Sequence, residues 1–499
     1  MRKLGFATAL TALTLGLGLA EAQAQFRGNT PMTGGGVRVP GGGGRGGFGI
    51  GLGAGILVPG LIEAVRPRGP VYVEEYDVEE ERPRRPRGTK ARPKPAPKVA
   101  RQAPPPRQAR PAAPRVPPVS IPVASEQRLV PEEVLIEVKN PASAEAVLRR
   151  HRLTQLAQTR FELANTTIIR ARIEGGRTAR QALQQMAGDA RIASAQPNYV
   201  YTLQEEAQKV AVSEPPPPPA RKEQYVLDKL GLTGAQKLAS GEKIRIALVD
   251  TGVDDAHPEL SGAVVARFEA VTGETNSREH GTAMAGALVA RASLRGAAPQ
   301  AQLLSARAFG GDAKSSGTSF QILQSLDWAA GQGARVFNLS FAGPQDRLMG
   351  RELEGARARK IVSVAAMGNA GPNTPVLYPA AEASVLAVTA TDAADAVFSR
   401  ANTGNHVAIS APGVDVIAAA PSGQYAFSSG TSIATAHVAG LVALMLERNP
   451  DLDLAGVKRI LAATAQDLGP KGFDATYGAG RANAEAAVAR AAEEAAKRP

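Results

Sequence analysis

The stretch Gly430-Thr431-Ser432-Ile433-Ala434-Thr435-Ala436-His437-Val438-Ala439-Gly440 runs directly into the apolar segment Leu441-Val442-Ala443-Leu444-Met445-Leu446. This pattern predicts a turn followed by a buried helix. A serine in the first turn of a helix lies beside free backbone N–H groups and the positive end of the helix dipole, which favour an anion. That position suits a nucleophile whose reaction produces an oxyanion. Serine is also a preferred helix N-cap, so the stretch alone is more typical of a structural cap.

Two stretches further upstream favour the catalytic interpretation. Residues 244–249 are an apolar run of strand length that ends in Asp250-Thr251-Gly252, and His280-Gly281-Thr282 opens a second segment of small residues. A carboxylate at the carboxyl end of a parallel strand lies where open α/β sheets place their active sites. The chain order Asp, His, Ser is that of subtilisin, and it differs from the chymotrypsin and α/β-hydrolase orders.

Together, Val249-Asp250-Thr251-Gly252-Val253-Asp254, His280-Gly281-Thr282 and Gly430-Thr431-Ser432-Ile433-Ala434-Thr435 resemble the three signatures of the subtilisin-like serine peptidases. The likeness covers residues 223–490 and implies an α/β fold whose parallel sheet is flanked by helices. It also implies a serine endopeptidase that works through an acyl-enzyme, with Asp250, His280 and Ser432 as the triad. Of the five histidines only His280 opens the required helix, so it is assigned the role of general base and then general acid.

The resemblance also assigns the binding residues. Asn369 matches the asparagine that holds the oxyanion together with the backbone N–H of Ser432. The segment Ser340-Phe341-Ala342-Gly343 resembles the family's substrate-binding strand, to which a peptide adds as a further strand, and Ala366 and Gly368 are assigned to the same surface. Ala342 stands where glycine is usual. Its methyl group is expected to narrow the cleft and to favour small or medium apolar residues before the scissile bond.

Composition excludes several other functions. The chain has no cysteine, which excludes disulfides, thiolate metal sites and cysteine peptidases. Its formal net charge is +12, and the stretch 82–115 alone holds twelve Lys and Arg and no acidic residue, so the rest of the chain is neutral. A basic tail on a neutral domain is not typical of a nucleic-acid-binding fold, and no nucleic acid is expected as a partner.

The N-terminal region is predicted to contain a targeting segment followed by a segment without a fold. Residues 1–24 have the charged start, apolar core and small-residue exit of a signal peptide, so the protein is expected to be secreted or periplasmic. Residues 25–129 are rich in Gly and then in Pro and Arg, a composition that predicts disorder. This segment is compatible with contact to membrane lipids or cell-wall polymers, although a solvated spacer is the favoured interpretation.

Residues 130–204 predict a small α+β domain. Strand and helix patterns in the order βαββαβ indicate a ferredoxin-like plan, with strands at 134–138, 159–163, 167–173 and 192–201 and helices at 142–150 and 178–186. Directly before a subtilisin-like domain, this resembles the family's inhibitory propeptide, whose last strand lies in the substrate cleft. The protein is therefore expected to be a self-inhibited zymogen. Cleavage is expected between Tyr201 and Tyr225, in or near the Pro-rich linker 205–222.

No cofactor is expected from the sequence. The family's calcium-binding loop after the histidine helix is expected to be absent, because Ala290-Arg291-Ala292-Ser293-Leu294-Arg295-Gly296 is a short basic stretch that lacks the oxygen ligands calcium needs. Weaker calcium sites elsewhere are left open. The peptidase domain is expected to span 223–490, to be followed by a tail at 491–499, and to act on polypeptides as a monomer.

Two other functions are compatible with parts of the sequence. One is an inactive homologue that serves as a binding or scaffold protein, which the complete triad disfavours. The other is a cell-envelope structural protein in which the Gly-rich and basic segments matter most. Labelling of Ser432 by a fluorophosphonate distinguishes the first alternative, and secretion and activity after deletion of residues 25–121 distinguish the second.

Overall fold

The computed structural model describes residues 118–203, 224–271, 278–310 and 315–497. The predicted signal peptide, most of the Gly-rich and basic segment and the Pro-rich linker lie outside the described residues. Within these ranges no helix has both the length and the apolar character needed to cross a membrane.

Residues 118–203 form an antiparallel sheet with two helices, which we call the N-terminal domain. Its elements are β1 (Leu129–Val138), a 3-10 turn (Pro141–Ser143), α1 (Ala144–Arg150), β2 (Leu153–Phe161), β3 (Thr166–Ile173), α2 (Ala179–Met186) and β4 (Ile192–Leu203). The strand order is β4-β1-β3-β2, and each neighbouring pair is antiparallel. This is the βαββαβ arrangement that the sequence indicates.

Alternation along β1 places side chains in two separate cores. Val134 and Ile136 pack with the helices of the N-terminal domain. Leu135 points to the opposite face of the sheet and packs with Phe320 and Leu353, which belong to the second domain. Because successive side chains of a strand point to opposite faces, one strand contributes both to the domain's own core and to its interface.

The N-terminal domain begins earlier than the sequence predicts. Disorder was expected up to residue 129, but Val119 is buried and Ser120 N donates to Ala195 O at 2.8 Å. Ala195 N donates in turn to Pro118 O at 3.1 Å, so residues 118–120 add a short parallel strand at the edge of β4. The proline-rich composition predicted disorder here. Prolines are nevertheless compatible with a strand at a sheet edge, where their missing N–H group is not needed.

The described residues between 224 and 497 form the second domain, which we call the peptidase domain. Its elements are α3 (Tyr225–Leu230), α4 (Leu232–Leu238), β5 (Arg245–Asp250), a 3-10 turn (Pro258–Leu260), β6 (Val264–Glu269), α5 (Glu279–Val289), β7 (Gln302–Arg307), β8 (Ser316–Thr318), α6 (Ser319–Gly331), β9 (Val336–Leu339), β10 (Phe341–Ala342), α7 (Arg347–Ala358), β11 (Val362–Ala366), β12 (Val385–Thr391), β13 (Val407–Pro412), β14 (Val416–Ala420), β15 (Gln424–Ser428), α8 (Thr431–Arg448), α9 (Leu454–Thr464) and α10 (Ala484–Ala496).

Seven of these strands form one parallel sheet in the order β13-β12-β11-β9-β5-β7-β6. Along β5, Ile246 and Leu248 pack in one core with α5 and α8, whereas Ala247 and Val249 pack in the other core with α6 and α7. Strands covered on both faces read as continuous apolar runs, as residues 244–249 do. The predicted α/β fold with a parallel sheet flanked by helices is confirmed.

Candidate active site

Asp250 lies at the carboxyl end of β5 and is fully buried. Thr251 N donates to its Oδ1 at 2.7 Å, which fixes the carboxylate. Both carboxylate oxygens lie 2.8 Å from Nδ1 of His280, so the structure joins two of the predicted triad residues directly. A buried carboxylate in this position holds one tautomer of the imidazole and stabilises the imidazolium.

His280 is the second residue of α5, and the glycine that follows it lets the helix come close to β5. A Cβ atom on Gly281 would lie 2.0 Å from Gly252 O, and Gly281 N donates to Thr251 Oγ1 at 3.1 Å. The glycine of His280-Gly281-Thr282 is therefore explained by packing, because only glycine permits this approach.

Ser432 is the second residue of α8 and is buried. Its Oγ donates to the backbone carbonyl of Ser340 at 3.2 Å, and Ser340 Oγ donates to Ser432 O at 3.1 Å. Ser340 directly follows β9, which is the neighbour of β5 in the sheet. The carboxyl ends of neighbouring parallel strands meet at one edge, so Ser432 and Asp250 belong to the same edge of the sheet.

Asn369 follows β11, the next strand on the other side of β9. Its Oδ1 accepts from Thr431 N at 3.0 Å and from Thr431 Oγ1 at 2.9 Å. These two bonds orient the side chain so that Nδ2 is the end able to donate to a ligand. The amide is thereby tied to the residue that precedes Ser432.

Gly368 and Ala366 support the same edge. Gly368 has φ 105°, and a Cβ atom there would lie 2.6 Å from Leu377, so both backbone conformation and space require glycine. Its N–H donates to Thr431 Oγ1 at 3.1 Å. Ala366 is the last residue of β11 and is buried.

The predicted substrate-binding segment pairs with the N-terminal domain. Phe341 and Ala342 form β10, which lies antiparallel to the end of β4, with Phe341 opposite Leu203 and Ala342 opposite Thr202. On its other side, β4 pairs with β8, where Val200 lies opposite Thr318. The last residues of the N-terminal domain thus form the middle strand of three. Strand β8 has no signal in the sequence, because a Ser-Gly-Thr segment before a capped helix has no strand pattern.

Tyr201 fills a pocket beside β10. It is fully buried, its ring meets Phe341 edge-on with the centroids 5.6 Å apart, and its hydroxyl donates to Pro344 O at 3.2 Å. Burial raises the pKa of Tyr201 well above its ordinary value. A Cβ atom on Gly343 would lie 2.4 Å from the ring, so the glycine makes room for an aromatic side chain. The Ala342 methyl group was expected to narrow the cleft, but the pocket beside β10 is wide enough to hold the aromatic ring of Tyr201.

Two polar residues of β4 cap the helices that follow β8 and β10. Asn198 Oδ1 accepts from Phe320 N at 3.1 Å in the first turn of α6. Gln196 Oε1 accepts from Leu348 N at 3.2 Å in the first turn of α7, and its Nε2 donates to Asp346 at 2.7 Å. Free N–H groups at a helix start need such acceptors. A polar pair in a strand gives no local sign of such contacts, because its partners lie more than a hundred residues away.

The loop at 290–296 surrounds a carboxylate. Glu259 is fully buried; its Oε1 accepts from Ser293 N at 2.8 Å, Leu294 N at 2.9 Å and the Tyr425 hydroxyl at 2.8 Å, and its Oε2 accepts from Ala292 N at 2.9 Å. The loop therefore presents N–H groups, whereas calcium needs oxygen ligands. Across the ranges that the structure describes, no group of three or more His, Cys, Asp or Glu side chains is arranged to hold a metal ion.

Comparison with known proteins gives consistent matches. A family model described as the subtilase family, peptidase S8, matches residues 241–480. Subtilisin BL of Lederbergia lenta is 36% identical over 256 residues, which are 50% of this chain and 92% of subtilisin BL. Thermitase of Thermoactinomyces vulgaris is 35% identical over 274 residues, which are 53% of this chain and 95% of thermitase.

Two further matches include the N-terminal region. The minor extracellular protease Epr of Bacillus subtilis is 28% identical over 389 residues, or 76% of this chain and 58% of Epr. The crystal structure of fervidolysin from Fervidobacterium pennivorans, described as a keratinolytic enzyme related to subtilisin, superposes with a TM-score of 0.64 at 23% identity. That superposition covers 73% of this chain and 62% of fervidolysin, and it supports the fold alone.

Proposed function

Because this chain belongs to the subtilase family and is a serine-type endopeptidase, we propose that it hydrolyses peptide bonds through an acyl-enzyme on Ser432. His280 serves as the base and Asp250 orients it. The observation that carries this assignment is the 2.8 Å contact between His280 Nδ1 and the buried carboxylate of Asp250. This contact between His280 and Asp250 lies at the same edge of the sheet as Ser432.

The chemistry follows from these positions. His280 Nε2 takes the proton of the Ser432 hydroxyl as the oxygen attacks the substrate carbonyl, and Asp250 stabilises the imidazolium. The negative oxygen of the tetrahedral intermediate is held by the Asn369 amide and by the N–H of Ser432, at the positive end of α8. His280 then gives its proton to the leaving amine, and water repeats the sequence in reverse to release the acid.

Polypeptides bind in extended form. The pairing of β4 with both β8 and β10 supports a cleft in which a substrate segment adds as a central antiparallel strand. Backbone hydrogen bonds supply affinity in this mode, and side-chain pockets such as the one around Tyr201 supply selectivity.

The N-terminal domain acts as an intramolecular inhibitor in this proposal. Its last strand lies where a substrate would bind, Tyr201 occupies a side-chain pocket, and Gln196 and Asn198 cap two peptidase helices. The enzyme is made as a zymogen, and separation of the domain opens the cleft.

The register of β4 points to the bond cleaved in maturation. Leu203 lies opposite Phe341 in antiparallel pairing, so each step forward along β4 is one step backward along the partner strand. Ser340 directly precedes Phe341, and its carbonyl accepts from Ser432 Oγ at 3.2 Å. A chain that continues this pairing presents the carbonyl of the residue after Leu203 to the nucleophile.

We therefore expect the mature enzyme to begin at Glu205, after cleavage of the Gln204–Glu205 bond. N-terminal sequencing and intact-mass measurement of the purified wild-type protein test this, with Ser432→Ala as the uncleaved control. A first mature N-terminus at any residue other than Glu205 would contradict the proposed register. Later trimming of the linker is distinguished by a time course, since Glu205 should then appear first.

Export is part of the same proposal. The segment 1–24 has the pattern of a signal peptide, and one relative is named an extracellular protease. We place the mature enzyme in the periplasm or outside the cell as a monomer that does not bind nucleic acid. The Gly-rich and basic segment serves as a spacer that can contact membrane lipids or cell-wall polymers.

Labelling by a fluorophosphonate tests the catalytic assignment. The mature enzyme should react at Ser432 with a stoichiometry near one label per chain, as located by peptide mass spectrometry. Absence of labelling in a processed, folded enzyme would favour the inactive binding protein. Secretion and activity after deletion of residues 25–121 test whether the N-terminal segment has a separate structural role.

The proposal includes no calcium ion at the 290–296 loop, where the Glu259 carboxylate supplies the negative charge and binds the loop's N–H groups. A chelator should leave the unfolding temperature of the Ser432→Ala protein unchanged. Glu259→Gln should lower that temperature by roughly 4–8 °C, because a buried donor without its acceptor costs about 2 kcal/mol and 1 kcal/mol shifts a domain of this size by about 2–4 °C.

Calorimetry or fluorescence at one fixed scan rate provides this measurement. Glu242→Gln, at an exposed glutamate of the same domain, is the matched control and should leave the temperature unchanged. A clear rise with added calcium that disappears in Glu259→Gln would show that the carboxylate binds a cation instead.

A further inference from the structure

The turn between β2 and β3 of the N-terminal domain docks on the peptidase helices α6 and α7. On α6, Asp327 Oδ1 accepts from Glu162 N at 2.7 Å and from Leu163 N at 2.9 Å. Leu163 is buried in the core that the two domains share. A carboxylate thus binds two backbone N–H groups of the turn, which is a charge-assisted contact.

The α7 side of this surface is equally close. A Cβ atom on Gly355 would lie 2.0 Å from Leu163 O, so only glycine permits the turn to approach the helix. Arg351 Nη2 donates to Ala164 O at 3.3 Å, and Arg359 Nη2 donates to Glu162 O at 2.6 Å. The backbone of the turn is therefore bound from both helices.

Glu352 lies in the middle of this contact and is fully buried. Neither of its carboxyl oxygens has a hydrogen-bond partner of good geometry, and its polar neighbours include Asp327 and the backbone of Ala164. The charged groups that act on Glu352 are Asp327 on α6 and Arg359, which directly follows α7. On the neighbouring turn of α7, Arg351 forms an ion pair with Glu137 of β1 at 2.7 Å. Arg359 donates to the backbone carbonyl of Glu162, whereas Arg351 donates both to Ala164 O and to the Glu137 carboxylate.

Two neighbouring carboxyl groups in a dry contact do not both ionise at low cost. Removing an unpaired charge from water is expensive, and a second negative charge nearby adds repulsion. Asp327 is the acceptor of two backbone N–H groups of the turn. Burial, and then the charge of Asp327, raise the pKa of Glu352 well above its ordinary value.

We propose that Glu352 carries a proton in the docked state, so that docking of the N-terminal domain takes up one proton and weakens as the pH rises. In the ionised state, Glu352 and Asp327 repel each other across the contact that binds the turn. This inference rests on the proposed function, in which the N-terminal domain is the inhibitor, and it makes release of that inhibitor more favourable at higher pH.

The direction follows from proton linkage. When the turn leaves, the pocket opens to water and the pKa of Glu352 returns towards about 4.3, which is the ordinary pKa of a glutamate. The favourable contribution of Glu352 to docking is therefore complete at a pH below its undocked pKa. It is lost as the pH rises through the higher pKa of the docked state. At a pH between the undocked and the docked pKa of Glu352, the equilibrium constant for undocking rises about tenfold for each pH unit.

Hydrogen exchange on the full-length Ser432→Ala protein tests the proposal without proteolysis. The amides to follow are those of Glu162 and Leu163, which Asp327 binds, with buried amides of α8 as the internal reference for global unfolding. After correction for the intrinsic exchange rate, the opening constant of the turn should rise about tenfold per pH unit over part of the range from pH 5 to 8. Adding Glu352→Gln should remove this dependence.

Glu354→Gln is the matched control, because Glu354 lies on the same helix but is exposed and paired with Arg357. It should keep the pH dependence of the parent. If Glu352→Gln disturbs the α8 reference, Glu352→Leu provides a second neutral side chain with the same expected result. An opening constant that does not vary with pH in the parent, or that varies equally in Glu352→Gln, would overturn the proposal.

Peptidase activity separates this inference from the proposed function. A wild-type chain that cleaves peptides at full rate while the turn stays protected would refute the inhibitor role and leave the proton linkage standing. A chain that is inhibited while docked, yet shows no dependence of opening on Glu352, would refute the linkage alone.

Discussion

Ser432→Ala is expected to lower kcat for peptide hydrolysis by about six orders of magnitude, the loss known for removal of the nucleophile of subtilisin itself. The substitution removes the oxygen that would form the acyl bond, while the α8 helix and its buried neighbours stay in place. The same variant should remain as an uncleaved full-length chain and should not react with a fluorophosphonate. Progress curves on a peptide substrate and intact-mass measurement check both outcomes.

Ser429→Ala provides a control three residues away. The Ser429 hydroxyl accepts from Asp415 N at 2.9 Å and donates to Asp415 Oδ1 at 3.3 Å. It should therefore keep activity within a few-fold of the parent and retain labelling. If the two variants were equally active, Ser432 would not be the nucleophile and the triad would have to be assigned differently.

The sequence was sufficient for the parts of the structure that depend on local pattern. The apolar run ending in Asp250 became a buried strand, and the small residues after His280 and Ser432 became closely packed helices. Gly281 shows why, since its lack of a side chain admits the carbonyl of Gly252. Each of these features is set by a few consecutive residues, so it can be inferred without knowing the tertiary contacts.

The side-chain contacts between the domains were not predictable, although the family resemblance implied that the last strand of the N-terminal domain lies in the cleft. Asp327 and Glu352 read as ordinary polar positions of amphipathic helices, and Gln196 and Asn198 read as polar residues of a strand. Their roles arise from contacts between residues more than a hundred positions apart. The charges of neighbouring residues in the sequence do not predict that a carboxyl group is buried by another domain.

The start of β2 was also misplaced, for a local reason. The strand begins at Leu153, whereas the pattern suggested 159, because the register shifts between Gln155 and Ala157. A bulge of this kind interrupts the alternation of apolar and polar residues that marks a strand. The predicted hairpin is present, but its first strand is longer than the alternating part of the sequence.

Asp250→Asn is expected to lower kcat by about four orders of magnitude, the size of effect seen when the orienting aspartate of a serine-protease triad becomes asparagine. In the wild type both carboxylate oxygens accept from His280 Nδ1, which leaves Nε2 unprotonated and able to take the serine proton. An amide presents N–H to Nδ1 in one orientation and thereby favours the tautomer with its proton on Nε2. That tautomer cannot act as the base. Steady-state kinetics on a peptide substrate measure the loss.

Asp254→Asn is a control that distinguishes two causes of lost activity. One is loss of the orientation of His280, and the other is general damage to the sequence motif around Asp250. Asp254 lies in the same signature, but its carboxylate accepts from Ser422 N at 2.7 Å rather than from His280. This variant should lose a few-fold of activity at most, with any larger effect confined to the unfolding temperature. Fluorophosphonate labelling adds a second readout, because Asp250→Asn should still fold and react at Ser432 but far more slowly. If Asp250→Asn stayed within tenfold of the parent in kcat, the 2.8 Å contact would be structural and another group would have to hold His280.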